Sequence, residues 1–118
     1  MIKSHRDLIV WQKGTELVLE IYRLTENFPK RETYSLVDQL RRAAVSIPSN
    51  IAEGRGRSST KDFVRFLYMA KGSLAEIDTQ LFICEKLGYF KEIEVKKILN
   101  LCEEIAKMLS SMISKLNN

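Results

Sequence analysis

Arginine is concentrated in one segment of this 118-residue chain, and its planar guanidinium group is well suited to binding phosphate. The segment runs from Arg41 to Arg57 and reads RRAAVSIPSNIAEGRGR. Between Lys30 and Lys71 there are nine Lys or Arg residues against four Asp or Glu, whereas the rest of the chain carries ten basic and eleven acidic residues. The charge distribution therefore indicates a surface that faces a polyanion.

Six basic side chains are the candidate phosphate contacts: Arg41, Arg42, Arg55, Arg57, Lys61 and Arg65. The last four follow one another through a Gly-rich turn into a predicted helix, whose first amides and dipole also attract phosphate. Such contacts hold a nucleic-acid backbone without reading its sequence. The alternative is that the arginines pair with Glu53 and Asp62 and keep the surface solvated. Arg42 is also spaced to pair with Asp38, and a packed contact is the alternative for Arg41.

The chain lacks the residue arrangements that catalysis or metal binding requires. The one histidine, His5, has no cysteine or carboxylate cluster around it at metal-ligand spacing. No Walker loop, dinucleotide fingerprint or G-x-S-x-G elbow is present. Glutamates near the C-terminus are interspersed with lysines, as on a solvated helix face. We therefore expect no enzymatic activity, no metal site and no cofactor.

The composition favours a single domain over residues 1–118. Apolar residues make up 45% and charged residues 29% of the chain, and the net charge is +4, which is typical of a mildly basic globular protein. The first apolar cluster, Leu8-Ile9-Val10-Trp11, is too short for a membrane span or a signal-peptide core. We therefore expect a cytoplasmic protein without a membrane partner, in which Cys84 and Cys102 are reduced core residues.

Two prolines and five glycines divide the chain into four amphipathic helices, which we place at about residues 7–27, 33–56, 59–87 and 91–116. Thr33 is the predicted N-cap of the second helix and Ser59 that of the third. Gly54 and Gly56 are predicted to end the second helix in the left-handed conformation. Four helices with short connections pack best as an antiparallel up-down bundle, so the predicted fold class is an all-α four-helix bundle.

Pro48 lies inside the apolar pattern of the second helix. Proline lacks a backbone N–H, and its ring clashes with the carbonyl one turn earlier, so we expect helix 2 to be kinked or to restart there. The side chains of Ser46, Ser49 and Asn50 are placed to bond the backbone groups that the proline leaves free. We expect Asn50 and Glu53 to have a structural role in preference to a ligand contact.

A second stripe of side chains lies on the third helix, away from its core stripe: Tyr68, Gly72, Ala75, Thr79 and Phe82. Their spacing alternates between four and three residues, which is the seam of a heptad repeat. A helix that is apolar on two sides is expected to be buried on two sides. We therefore predict that this face mediates self-association, the alternative being scattered surface residues. Tyr68, if exposed, can also stack on a base.

Two long stretches carry a resemblance to a known family: DLIVWQKGTELVLEIYRLTENFP and LVDQLRRAAVSIPSNIAEGRGRSSTKDFVRFLYMAKGSLAEIDTQL. They resemble the bacterial 23S rRNA intervening-sequence proteins, and the similarity covers nearly the whole chain. The resemblance implies an antiparallel four-helix bundle that assembles into rings, typically pentamers. A related branch comprises the accessory proteins of diversity-generating retroelements, which are basic pentamers that bind nucleic acid and partner a reverse transcriptase.

The residues that match the family motif by position are Ser46, Pro48, Asn50, Glu53 and Gly54. With the basic segment and the resemblance together, we predict a non-enzymatic homo-oligomer that presents a basic surface to structured RNA or DNA. The alternative is a protein-interaction scaffold whose ring docks an acidic or apolar protein partner without nucleic acid.

Overall fold

The computed structural model describes residues 1–118 and contains four α-helices and no β-strand. The helix bounds are α1 Ile9–Thr25, α2 Leu36–Arg55, α3 Thr60–Lys86 and α4 Lys96–Leu116. Short 3₁₀ turns precede α1, α2 and α4, at His5–Asp7, Lys30–Glu32 and Glu92–Val95. Each helix packs on its neighbours in the chain, and α4 returns to α1. The prediction of an all-α four-helix bundle is confirmed.

The four apolar stripes meet in one core that extends along the bundle. Its largest fully buried side chains come from all four helices and include Leu17, Ile21, Leu40, Ile47, Ile51, Leu67, Ile77, Ile98, Ile105 and Leu109. Burying each such side chain stabilises the fold by roughly 1.5–3 kcal/mol. The spacing of three and four residues within each helix is therefore the main determinant of this architecture.

The start of α2 differs from the prediction. Thr33 is not an N-cap, because residues after Pro29 form a 3₁₀ turn in which the Thr33 amide donates to the Lys30 carbonyl at 3.1 Å. Its φ and ψ of −53° and −46° are helical, whereas an N-cap is extended. The predicted cap of α3 is confirmed, since the Ser59 hydroxyl accepts a hydrogen bond from the Asp62 amide at 3.1 Å.

The end of α2 also differs from the prediction. Gly56 has a φ of −82°, so neither it nor Gly54 ends the helix in the left-handed region. Gly54 lies inside α2, where a Cβ would be 2.7 Å from the Phe66 Cβ and 3.0 Å from Phe63 Cδ1. Close packing of α3 is therefore the reason for glycine there. The left-handed glycine of this fold is Gly88, at φ +80°, which follows α3 where we predicted its end.

α2 continues through Pro48 as one helix, so it does not restart there, and a bend remains a prediction. Two polar side chains bond carbonyls of the same helix: the Ser46 hydroxyl donates to the Ala43 carbonyl at 2.7 Å, and Asn50 Nδ2 donates to the Ser46 carbonyl at 2.8 Å. Pro48 itself is buried next to Gly14 of α1. Neither of the two polar side chains bonds the Ala44 carbonyl, the group that Pro48 leaves without its helical donor, and Ser49 makes no side-chain hydrogen bond.

One end of the bundle is closed by Tyr89, which follows α3, and Glu32, which precedes α2. The Tyr89 hydroxyl donates to Glu32 Oε2 at 2.6 Å, and the Tyr89 ring packs on Phe28 with 5.4 Å between ring centroids. The hydrogen bond lowers the pKa of Glu32 and raises that of Tyr89. Since these residues lie in separate connections, the contact fixes the two connections to each other.

Both cysteines are free thiols, and Cys84 is fully buried while Cys102 is partly buried. Burial raises the pKa of each thiol to about 11. They are core residues, as predicted. None of the helices combines the length and the apolar composition that a membrane crossing requires.

Candidate functional site

The six predicted phosphate contacts fall into two groups. Arg55, Arg57, Lys61 and Arg65 surround the connection between α2 and α3, and we call these four residues the basic turn. Arg41 and Arg42 lie in the first half of α2. At 1.5 Å per residue, Arg41 is about 21 Å from Arg55 along the helix. The six residues therefore do not form one compact site.

The ring of Phe66 organises two side chains of the basic turn. The guanidinium carbons of Arg57 and Arg65 lie 4.9 and 4.6 Å from its centroid. Phe66 is buried, and its own position is fixed by the close contact with Gly54. Because cations are attracted to aromatic faces, the ring holds both arginine stems in place while half of each side chain stays exposed.

Two carboxylates accompany the basic turn, as the alternative interpretation anticipated. Arg57 pairs with Glu53 at 3.5 Å, and Arg65 pairs with Asp62 at 3.7 Å. Both pairs are at the surface, where such bridges contribute only about 0–1 kcal/mol. Arg55 and Lys61 make no ion pair. The basic turn thus keeps an excess of two positive charges, and none of its arginines is enclosed by carboxylates.

Arg41 joins α1 to α2. Its Nε donates to the buried Thr25 hydroxyl at 3.0 Å, one Nη donates to the Tyr22 carbonyl at 3.4 Å, and the guanidinium lies 4.3 Å from the centroid of the Tyr22 ring. This is the packed contact that the sequence left open. Arg42 pairs with Asp38 at 3.0 Å, and 80% of its side chain is exposed. Arg42 can therefore reorient toward a ligand, whereas Arg41 is already fixed.

The segment Ser46 to Gly54 contacts neighbouring helices. The hydroxyls of Ser46 and Ser73 are hydrogen-bonded to each other and so connect α2 to α3, with Ser46 accepting because its own hydrogen is donated to the Ala43 carbonyl. Gly54 admits Phe66, and Glu53 bonds Arg57 one turn later. Of the motif positions, Ser46 and Gly54 therefore contact α3, whereas Pro48 packs on α1 and Asn50 bonds within α2.

The predicted self-association stripe on α3 is exposed along its whole length. Tyr68 and Phe82 retain 53% and 60% of their surface, and a Cβ added at Gly72 would meet nothing within 4 Å. Beside the stripe, Gln80 is only 8% exposed, and its Oε1 has no hydrogen-bond partner. A buried acceptor without a partner is unfavourable. Nothing within one copy of the chain covers this face.

Sequence reasoning missed a groove at the start of α2, which is lined in part by Tyr22, Tyr34, Arg41, Arg42 and Val45. Tyr34 is 95% exposed. The two tyrosines are separated by a turn and a 3₁₀ segment, so no periodic signal connects them. The only sign in the sequence is an aromatic residue, Tyr34, in the polar segment that follows Pro29.

Metal-binding geometry is not found: no group of three or more His, Cys, Asp or Glu side chains is arranged to hold an ion. His5 instead packs edge-on against Trp11, with 5.2 Å between ring centroids. The absence of enzymatic activity, of a metal and of a cofactor stays a prediction.

Comparisons with known proteins address the family. The family model described as "23S rRNA-intervening sequence protein" matches residues 6–111. A crystal structure of a protein with unknown function from the S23 ribosomal protein family of Bacteroides thetaiotaomicron is similar, with a TM-score of 0.78 and 27% identity over 88% of this chain and 97% of that chain. No curated protein matches significantly. The matched range includes the basic turn and the exposed face of α3, and the chain belongs to the 23S rRNA-intervening sequence protein family.

Proposed function

We propose that this chain is a non-enzymatic, homo-oligomeric bundle that presents the basic turn to the phosphate backbone of structured RNA or DNA. The observation that carries the proposal is the pair of arginines on one buried ring: Arg57 and Arg65 are held over Phe66, beside Lys61, which has no carboxylate partner. Arginine forks bind phosphate oxygens without reading base sequence.

The ordering of the arginines supports binding. A flexible arginine loses side-chain entropy when it is fixed on a ligand. Packing on Phe66 removes part of that cost before the ligand arrives. The two ion pairs, Arg57–Glu53 and Arg65–Asp62, are exposed and weak, so phosphate can replace the carboxylates.

The exposed face of α3 supports self-association, which is the second part of the proposed function. The exposed stripe on α3, with Gly72 and Ala75 between two aromatic rings, suits a second helix at close approach. The family resemblance implies a ring, typically pentameric. Several basic turns in one assembly would raise avidity for a long polyanion.

A protein-interaction scaffold is the second candidate. It is favoured by the apolar side chains exposed on α3, of which Phe82, Ile83 and Leu87 retain 60%, 42% and 53% of their surface. A pull-down with and without nuclease separates the two functions. Partners held through nucleic acid are released by nuclease, whereas direct protein contacts persist.

The nucleic-acid function is tested by titrating a labelled RNA hairpin at about 50 and 200 mM salt, with fluorescence anisotropy as the measurement. We expect the affinity to fall steeply with salt and to be weaker in the double variant Arg57→Ala/Lys61→Ala. The matched control is Lys96→Ala/Lys115→Ala, which removes the same charge from exposed positions of α4 that make no ion pair. No binding at the lower salt, or equal losses in the two double variants, would contradict the proposal.

A further inference from the structure

The groove at the start of α2 brings two exposed tyrosines next to two arginines. Tyr22 comes from α1, Tyr34 from the connection before α2, and Arg41 and Arg42 from α2 itself. The groove has a volume of about 640 Å³. Tyr34 is 95% exposed and Tyr22 is 40% exposed, so neither side chain is buried in the core.

One wall of the groove is rigid. Arg41 lies on the Tyr22 ring and is bonded to Thr25 and to the Tyr22 carbonyl, so the guanidinium and the ring form a fixed stack. Tyr34 and Arg42, in contrast, project into solvent. Aromatic rings and guanidinium planes are the surfaces on which proteins stack unpaired bases. Arg42 shares the groove with Asp38, and because their ion pair is exposed and weak, an adjoining phosphate can replace the carboxylate.

We propose that this groove, with Tyr34 as its stacking residue, binds the unpaired bases of a single-stranded nucleic acid. The inference rests on the proposed function and specifies that the nucleic acid bound at this groove is single-stranded. Bases inside a duplex are stacked on one another and cannot present a face to Tyr34. The groove is therefore selective for single strands, whereas the basic turn is not.

The groove and the basic turn lie on one side of α2. Arg41 and Arg55 are fourteen residues apart, which at 3.6 residues per turn leaves them within about 40° around the helix and about 21 Å along it. A backbone held by Arg55 and Arg57 can follow α2 to Arg42. Of the exposed residues between them, Val45 and Ser49 are uncharged, and Glu53 is paired with Arg57 at 3.5 Å, so a backbone on this path has to displace that one surface ion pair.

The test compares three labelled probes by fluorescence anisotropy at low salt: oligoadenylate RNA of about 12 nucleotides, the DNA strand of equal length, and an RNA duplex. Tyr34→Ala is expected to bind both single strands about tenfold more weakly and the duplex as tightly as wild type does. The matched control, Tyr34→Phe, retains the ring and is expected to bind all three as wild type does. Because the side chain is exposed, neither change should disturb the fold.

The outcomes separate this inference from the proposed function. If Tyr34→Ala binds single strands normally while Arg57→Ala/Lys61→Ala weakens duplex binding, the groove does not stack bases and the basic turn still binds phosphate. If the wild type binds none of the probes, both proposals fail. Sedimentation velocity is run in parallel. Smaller particles for Tyr34→Ala with unchanged single-strand affinity would assign the groove to a contact between copies and overturn the inference.

Discussion

Gly54 of α2 and Phe66 of α3 are packed so closely that a Cβ on Gly54 would lie 2.7 Å from the Cβ of Phe66. The same Phe66 ring carries Arg57 and Arg65 on the surface side. Helix packing and the arrangement of the basic turn are thus coupled through one aromatic residue. Any change that displaces Phe66 is expected to affect both stability and the position of the two arginines.

Gly54→Ala is expected to destabilise the protein by about 1–3 kcal/mol, because the added methyl group forces apart backbone-proximal atoms that cannot rotate away. Urea unfolding followed by circular dichroism measures the loss. The matched control is Gly56→Ala, where the nearest atoms to an added Cβ are 3.6 Å away and the backbone is right-handed. Equal stability of the two variants would refute the packing account of Gly54.

Phe66→Leu is expected to weaken binding of the RNA hairpin by about threefold with no change in net charge. The reason is the loss of two cation–π contacts of about 0.5–1 kcal/mol each, of which only the part that orders Arg57 and Arg65 before binding is lost from the affinity. Anisotropy at low salt measures the effect. Phe63→Leu is the control, since Phe63 also packs near Gly54 but lies under no arginine. The explanation fails if both variants bind RNA equally well.

Ala75→Glu is expected to produce smaller particles than wild type in analytical ultracentrifugation, because it places a charge in the middle of the α3 stripe. Ser110→Glu introduces the same charge at an exposed position of α4 and should leave the sedimentation profile unchanged. An unaltered profile for Ala75→Glu would remove this face from any account of assembly.

Tyr89→Phe removes the hydrogen bond to Glu32, and the resulting stability difference should depend on pH at both extremes. The pKa of Glu32 is lowered from 4.5, so its contribution is present above that value and is lost as the pH falls through the lowered pKa. The pKa of Tyr89 is raised from 10.0, so its contribution is present below that value and is lost as the pH rises through the raised pKa.

The measurement for Tyr89→Phe is the unfolding free energy of wild type and variant at several pH values. The difference should be constant between the two ordinary pKa values and should shrink below and above them. A difference that is the same at acidic, neutral and alkaline pH would show that only packing of the ring is involved.

Much of the fold could be predicted from periodicity. The core positions of α3, such as Leu67, Ala70 and Ile77, follow from spacing alone, and all three are buried. The helix ends were less predictable. Thr33 resembles a cap in sequence, but its position after Pro29 and the 3₁₀ turn decides its conformation. Gly54 resembles a helix terminator, but its role depends on Phe66, twelve residues away.

The amino-acid sequence by itself determined the four helices, the composition of the core and the excess of positive charge around Arg55 and Arg57, because these depend on local spacing and on residue type. Only the tertiary structure decided that Arg41 packs on the Tyr22 ring, that Arg57 and Arg65 both contact the Phe66 ring, and that Tyr34 lines a groove. These relationships join different elements, and the distance between side chains on different elements is set by packing and not by their spacing in the chain.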